Sequence, residues 1–234
     1  MEKIKALRFD AEGFINSFRS PKTAVYQLTG LVPTKTNIVG MLTNISGKTE
    51  KDYYEMLKYI KVGVVPINID SLFVDLWRFK KLKEANYGVG VLKREKLYLP
   101  EYCIYILTNN AIKDDFLDCL KFPKRIPSLG MDDELVKIKN VVEIEMDKVV
   151  NEEESKKVHS VFIYDPKNKI KYSRVTDKFW APRFTSMNLY FENEIPRTPK
   201  SVVQIVEFCG LKFELENPID VYLDKEKNYN IQFI

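Results

Sequence analysis

The sequence predicts an α+β fold whose first 150 residues follow the ferredoxin-like (RRM-like) βαββαβ order. Three observations carry that prediction. Apolar and charged residues alternate near both ends of this region, around Leu7 and around Ile144. Two segments with apolar residues at helical spacing, 34–46 and 112–120, lie far apart. Between them runs a stretch rich in β-branched and aromatic residues, divided by a basic segment.

The elements follow in order. Ile4, Ala6, Leu7 and Phe9 alternate imperfectly with Lys3, Lys5, Arg8 and Asp10, the pattern of a strand with one buried face. In the segment Phe18 to Gly47, Arg19 and Lys22 flank Pro21, and Pro33, Thr34, Lys35 and Thr36 lead into the apolar run Ile38, Val39, Met41, Leu42, Ile45. Thr34 or Thr36 is placed to cap this helix and Gly47 to stop it. Asp52 to Ile60 reads as a short second helix. Val62 to Phe79 gives one or two strands interrupted at Pro66, and Leu97 to Thr108 gives another. Ile112 to Leu120 is helical, with Asp114 and Asp115 in the first turn where the helix dipole favours them. Val141 to Val150 alternates as a half-buried strand.

Beyond Glu152, Glu153 and Glu154 the chain becomes β-rich. Val158 to Tyr164 and Ile170 to Val175 flank the turn residues Asp165 to Asn168 as a hairpin. A Pro-containing stretch from Lys178 to Lys200 reads as irregular, and Val202 to Phe208, Leu211 to Leu215 and Val221 to Leu223 as short strands. The expected organisation is a mixed unit over 1–150 and a small β-rich extension or domain over 151–234.

At 234 residues and 45% hydrophobic, the chain buries a core without disulfide staples. Its apolar runs stop well short of the roughly 18 residues of a membrane span, and MEKIKALRFD has no uninterrupted apolar core. A cytoplasmic protein with no membrane partner is expected. Cys103, Cys119 and Cys209 lie apart in apolar company, as buried free thiols do. The net charge of +4 is unevenly spread: residues 1–130 carry 21 Lys/Arg against 14 Asp/Glu, and residues 131–234 carry 16 against 19. A basic front half suits phosphate contacts, though solvated surface lysines give the same count.

Two segments could hold a polyanion. Arg78 to Lys96 contains Lys80, Lys81, Lys83, Lys93, Arg94 and Lys96 and reads as a protruding β-hairpin with Gly88 and Gly90 near its tip; a solvated hairpin is the alternative. Lys124 to Leu135 joins Arg125, Ser128 and Gly130 in one loop before a short helix, where backbone N–H groups could hold a phosphate; a structural turn is the alternative. Gly47-Lys48-Thr49 is a Gly-Lys-Thr string, but Leu42 stands where the phosphate loop Gly-x-x-x-x-Gly-Lys-Ser/Thr needs its first glycine. The single histidine, His159, excludes a metal cluster of several imidazoles. No catalytic residue, metal or other cofactor is expected.

FRSPKTAVYQLTGLVPTKTNIVGMLTNISG and RIPSLGMDDELVKI together resemble the two signatures of the Cas-five family of CRISPR-associated proteins. The resemblance implies a subunit of a type I RNA-guided surveillance complex, Cascade, with a ferredoxin-like palm and a β-hairpin thumb. Such a subunit holds the 5′ handle of the CRISPR RNA and touches the large subunit and the backbone subunits. Carried over, Arg19, Lys22, Lys35, Ser128 and Gly130 would lie near the handle, and Arg78 to Lys96 would be the thumb. One branch of the family processes precursor RNA without metal, using a Tyr and an adjacent Lys-His pair; here Val158 separates Lys157 from His159. A metal-independent endoribonuclease and an RNA-recognition-like protein outside CRISPR systems stand as alternatives.

Overall fold

The computed structural model describes residues 2–20, 23, 26–80, 88–171, 181–193, 198–210 and 212–234. The central layer starts with Lys3–Gly13 (β1), whose alternation is imperfect because both faces are covered: Ala6, Leu7, Arg8, Phe9 and Ala11 are all buried. A loop of two-residue strands leads to Lys35–Ile45 (α1). Of the two expected caps Thr34 is used: its hydroxyl accepts the Asn37 N–H, and Asn37 Oδ1 accepts the Thr34 N–H, both at 3.2 Å. Gly47, at φ 69°, follows the helix end. Glu50–Tyr59 (α2) begins earlier than expected, because Thr49 and Asp52 form a second capping box.

Four strands follow: Lys61–Asn68 (β2), Ser71–Lys80 (β3), Val89–Tyr98 (β4) and Glu101–Leu107 (β5). Pro66 does not interrupt β2. That strand lies at the sheet edge of the pairing order, and its register against β5 shifts between Pro66 and Asn68. The expected strand Leu97 to Thr108 is two strands, parted by a turn at Leu99, with φ 48°, and Pro100. The hairpin is longer than Arg78 to Lys96, since β3 and β4 pair from Ser71↔Tyr98 to Lys80↔Val89. Its tip, 81–87, with Lys81 and Lys83, lies outside the described residues, as does Lys22.

Asn109 caps Asn110–Lys121 (α3), so Asp114 and Asp115 fall beyond its first turn. The short helix expected after Gly130 is absent: Met131 to Glu134 turn, and Ser128 bridges to Leu135 before Val136–Lys148 (β6). In the C-terminal third the described residues of the expected hairpin do not pair with each other: Phe213–Leu215 lies between Lys157–Val158 and Ile170–Lys171, and Phe162–Ile163 pairs with Ile205 and Val206, while 172–175 lie outside the described residues. The stretch expected to be irregular contains Arg183–Phe191 (β7), paired with Pro199–Glu207 (β8). Tyr222–Asp224 (β9) and Tyr229–Ile231 (β10) complete the chain.

The main sheet has the order β10-β9-β6-β1-β5-β2, with each described pairing antiparallel. One face buries Leu7, Phe9, Ile104 and Ile106 against Ile38, Leu42, Leu57 and Phe116 of the helices. Met187, Ile205 and Ile234 join that same cluster from the C-terminal third. The other face packs Ala6, Tyr105, Met146 and Ile231. Val62 and Ile234 exchange backbone hydrogen bonds of 3.0 and 2.9 Å, which covers part of the β2 edge. Cys103, Cys119 and Cys209 are buried and free, and burial pushes the thiols of Cys103 and Cys209 up to about 12 and about 11.

Candidate nucleic-acid interface

A carboxylate that sequence reasoning missed ties the two loops together. Glu134 is 2% exposed. Its Oε2 accepts the N–H of Ser17 at 2.8 Å and of Met131 at 2.9 Å, and its Oε1 accepts the Ser17 hydroxyl at 2.6 Å. Asn16 Nδ2 donates to the Leu129 carbonyl at 2.7 Å. Drawing Glu134 inward is what turns the chain where a helix was expected. Gly130 belongs to this latch: it sits at φ 113°, and a Cβ there would meet Glu134 Oε2 at 2.2 Å and the Ser17 carbonyl oxygen at 2.6 Å. Its role is to permit the turn.

The latch forms one wall of a cleft of about 980 Å³. The opposite wall is the outward face of α1, where Thr36, Asn37, Gly40 and Asn44 recur at helical spacing. Arg19, Arg94, Arg125, Ser128 and Gly130, from three separate segments, all line it. Arg19 and Arg125 are exposed, and Arg125 Nη1 donates to Asn44 Oδ1 at 3.3 Å.

Arg94 differs from both. It is 5% exposed and lies 4.7 Å from the Trp77 ring centre, a cation–π contact. Its Nε and Nη1 have no hydrogen-bond partner. Both nitrogens are closed off from solvent, and leaving their N–H groups unpaired there costs free energy.

The remaining predicted residues scatter. Lys35 is buried at the start of α1 and is not among the cleft-lining residues; burial, with Lys61 nearby, lowers its pKa. Lys96 is also buried, its ammonium 3.5 Å from Glu134 and 3.8 Å from Asp75. It braces the hairpin against the latch. Lys80 and Lys93 are exposed on the opposite face of the hairpin from Arg94. The basic segment therefore does not act as one uniformly exposed surface.

His159 is not among the residues lining the cleft. Its Nδ1 accepts the Asn230 N–H at 3.0 Å, its ring lies 5.3 Å from that of Tyr229, and burial with Lys212 nearby lowers its pKa to about 4. The imidazole is neutral and serves as a structural acceptor. Among the described residues, no group of three or more His, Cys, Asp or Glu could hold a metal ion, and no helix is long and apolar enough to cross a membrane.

The chain is similar to CRISPR proteins of known structure. One, a CRISPR protein from Archaeoglobus fulgidus, aligns over 99% of this chain and 100% of its own at 10% identity and a TM-score of 0.58. Another, from a CRISPR RNA-guided surveillance complex, aligns over 96% and 95% at 15% identity and a TM-score of 0.51. A third, described as a Cas protein, aligns over 56% of this chain at 18% identity and a TM-score of 0.42, and the chain spans only 58% of its length. No curated protein sequence matches. The family model for CRISPR-associated protein (Cas_Cas5) matches residues 6–192, which sets aside an origin outside CRISPR systems: the chain belongs to this family and thus to CRISPR defence.

Proposed function

We propose that this chain is a non-catalytic RNA-binding and assembly subunit of a type I Cascade complex, and that the cleft holds the 5′ handle of the CRISPR RNA. The observation that carries this reading is Arg94, buried in the cleft wall with two unpartnered nitrogens. One handle phosphate accepts from Arg94, and Arg19 and Arg125 at the exposed rim neutralise its neighbours. The polar face of α1 supplies amides and hydroxyls to sugar and phosphate oxygens. Nothing in this arrangement reads the target, which is left to guide pairing.

The order β6-β1-β5-β2, with helices on one face, supports a ferredoxin-like palm over 1–150. The hairpin of β3 and β4 is then the thumb, directed to backbone and large subunits, and 151–234 is a β-rich extension. Cytoplasmic residence completes the reading. Support for a non-catalytic role comes from His159, neutral and engaged with Asn230. Incubating the protein with repeat RNA in a metal chelator is expected to leave the RNA intact; a single cut abolished in His159→Ala would overturn that part. Fluorescence anisotropy with a labelled handle RNA tests the cleft. Arg94→Ala is expected to weaken binding about 30-fold or more, the effect of a charge-assisted contact. Unchanged affinity would retire the cleft as the handle site.

A further inference from the structure

From the end of α3 the chain runs through exposed residues from Lys121 to Ile126, among them Lys121, Lys124 and Arg125 and no acid. Asp118, one turn earlier in α3, is exposed and leaves the stretch net positive, and Asp115 is paired with Lys48 at 3.0 Å. Phe122 is 81% exposed and Ile126 71%, the two largest values for big hydrophobic side chains among the described residues. The backbone that presents the Phe122 ring is pinned on both sides. Its own N–H donates to the Asp118 carbonyl at 2.8 Å, the Lys124 N–H donates to the Ile45 carbonyl at 2.8 Å, and Pro123 between them has a fixed φ. The Lys124 stem lies along Gly47, its Cδ 3.2 Å from where a Cβ would stand. The segment is thus fastened to the end of α1, and it continues the cleft: Asn44, Lys48, Arg125 and Ile126 all line it there. Three peptide units part Phe122 from Arg125, so their Cα atoms are at most about 11 Å apart.

We propose that Phe122 stacks one unpaired RNA base just outside the cleft, with Lys121 and Lys124 attracting the phosphates on either side of that nucleotide. An exposed ring accepts the π-face of any base, and the lysines add attraction that does not depend on sequence. The proposal rests on the RNA reading of the cleft: the strand held by Arg94 leaves at the Arg125 end and runs over this loop. A protein partner would also cover an exposed ring, but the positive charge around Phe122 and its continuity with Arg125 favour a polyanion.

The probe is a labelled CRISPR RNA segment, the handle with the first guide nucleotides, titrated against the full chain by anisotropy. Phe122→Ala is expected to weaken binding about 5-fold to 100-fold, the effect of one base stacked on an aromatic ring, with the slope of log affinity against log salt unchanged. Phe122→Trp is expected to bind at least as tightly as wild type, and Phe122→Leu as weakly as Phe122→Ala. With the ring in water, all three variants are expected to keep the wild-type urea midpoint. An abasic nucleotide walked along the RNA is expected to reach a position where it weakens wild type but not Phe122→Ala. Wild-type affinity in Phe122→Ala, with Arg94→Ala still weakened, overturns the stacking site and leaves the cleft reading standing. Full affinity in Phe122→Leu, or an abasic penalty that is the same in Phe122→Ala at every position, overturns stacking as well. No binding by wild-type protein overturns the stacking site and the RNA reading together.

Discussion

Two buried arginines on different elements divide the labour of this molecule. Arg8, on β1, meets Asp224 and Glu226 at 2.7 Å through its two terminal nitrogens, and only its Nε lacks a partner. Asp224 in turn accepts the Tyr105 hydroxyl at 2.9 Å. Arg94, in the hairpin, is as deeply buried, yet its Nε and Nη1 find no acceptor in the chain. The first guanidinium is answered by the fold and clips β9 to the sheet. The second finds no such answer within the chain, and on the proposed reading it is the charge left for RNA.

The comparison breaks most readily at Arg8. Arg8→Ala leaves Asp224 buried without its cation and is expected to lower stability by about 3–5 kcal/mol, read as a lower urea midpoint. The carboxyl of Asp224 is held below its usual range by Arg8 and Tyr105 against the opposing effect of burial. A depressed carboxyl pKa contributes stability above its unfolded value, and that contribution is lost as pH falls below about 4. The wild-type midpoint is therefore expected to drop in that acid range, and Arg8→Ala to flatten the drop. Arg94→Ala is expected to behave in the opposite way, leaving the urea midpoint within about 1 kcal/mol of wild type while RNA affinity falls. If Arg94→Ala unfolds the protein as Arg8→Ala does, the distinction between the two sites fails.

Glu207 extends the comparison to an acid. Burial pushes its carboxyl up to about 7, against the pull of the Leu31 N–H and of Arg183. A raised carboxyl pKa gives a contribution that is full below about 4.5 and is lost as pH rises through about 7, the reverse of Asp224. Glu207→Gln does not titrate. Its stability relative to wild type is expected to rise between pH 5 and pH 8, by on the order of 3 kcal/mol at most, in paired urea titrations. A difference independent of pH would mean that Glu207 is ionised at no cost in the native state.

Much of the site was legible before its geometry. Arg19, Arg94, Arg125, Ser128 and Gly130 were singled out from three separate segments, and they line one cleft. What the sequence hid is which charges point inward. Glu134 follows Asp132 and Asp133, and in a run of three acids no local pattern marks the one that is buried. Lys96 and Lys93 sit in the polar string LKREK, where both faces carry charge, so the strand period of two cannot say which face packs. The strand Arg183–Phe191 escaped for a related reason: Thr185, Ser186 and Asn188 break up its apolar pattern, although Met187 is 1% exposed. Lys35 was misjudged by position: a lysine at a helix start beside two threonines looks solvent-facing, yet here it is 7% exposed.

The weakest effect belongs to the hairpin charges that remain exposed, and it decides how far the binding surface extends beyond Arg94. Lys93 stands opposite Leu76 on the outward face, away from the Trp77–Arg94 contact. A lysine there has no fixed acceptor geometry and acts on a polyanion as a screened point charge. Lys93→Ala is expected to weaken binding of handle RNA only a few-fold at low salt and to reduce the slope of log affinity against log salt by about 0.7, the share of one phosphate on a single strand. Arg94→Ala should lose the same slope and a larger, salt-independent part besides, because its contact is desolvated. Should Lys93→Ala match Arg94→Ala in both terms, the RNA path runs over the outward face of the hairpin and the cleft is its end; should it change neither, the path stops at Trp77.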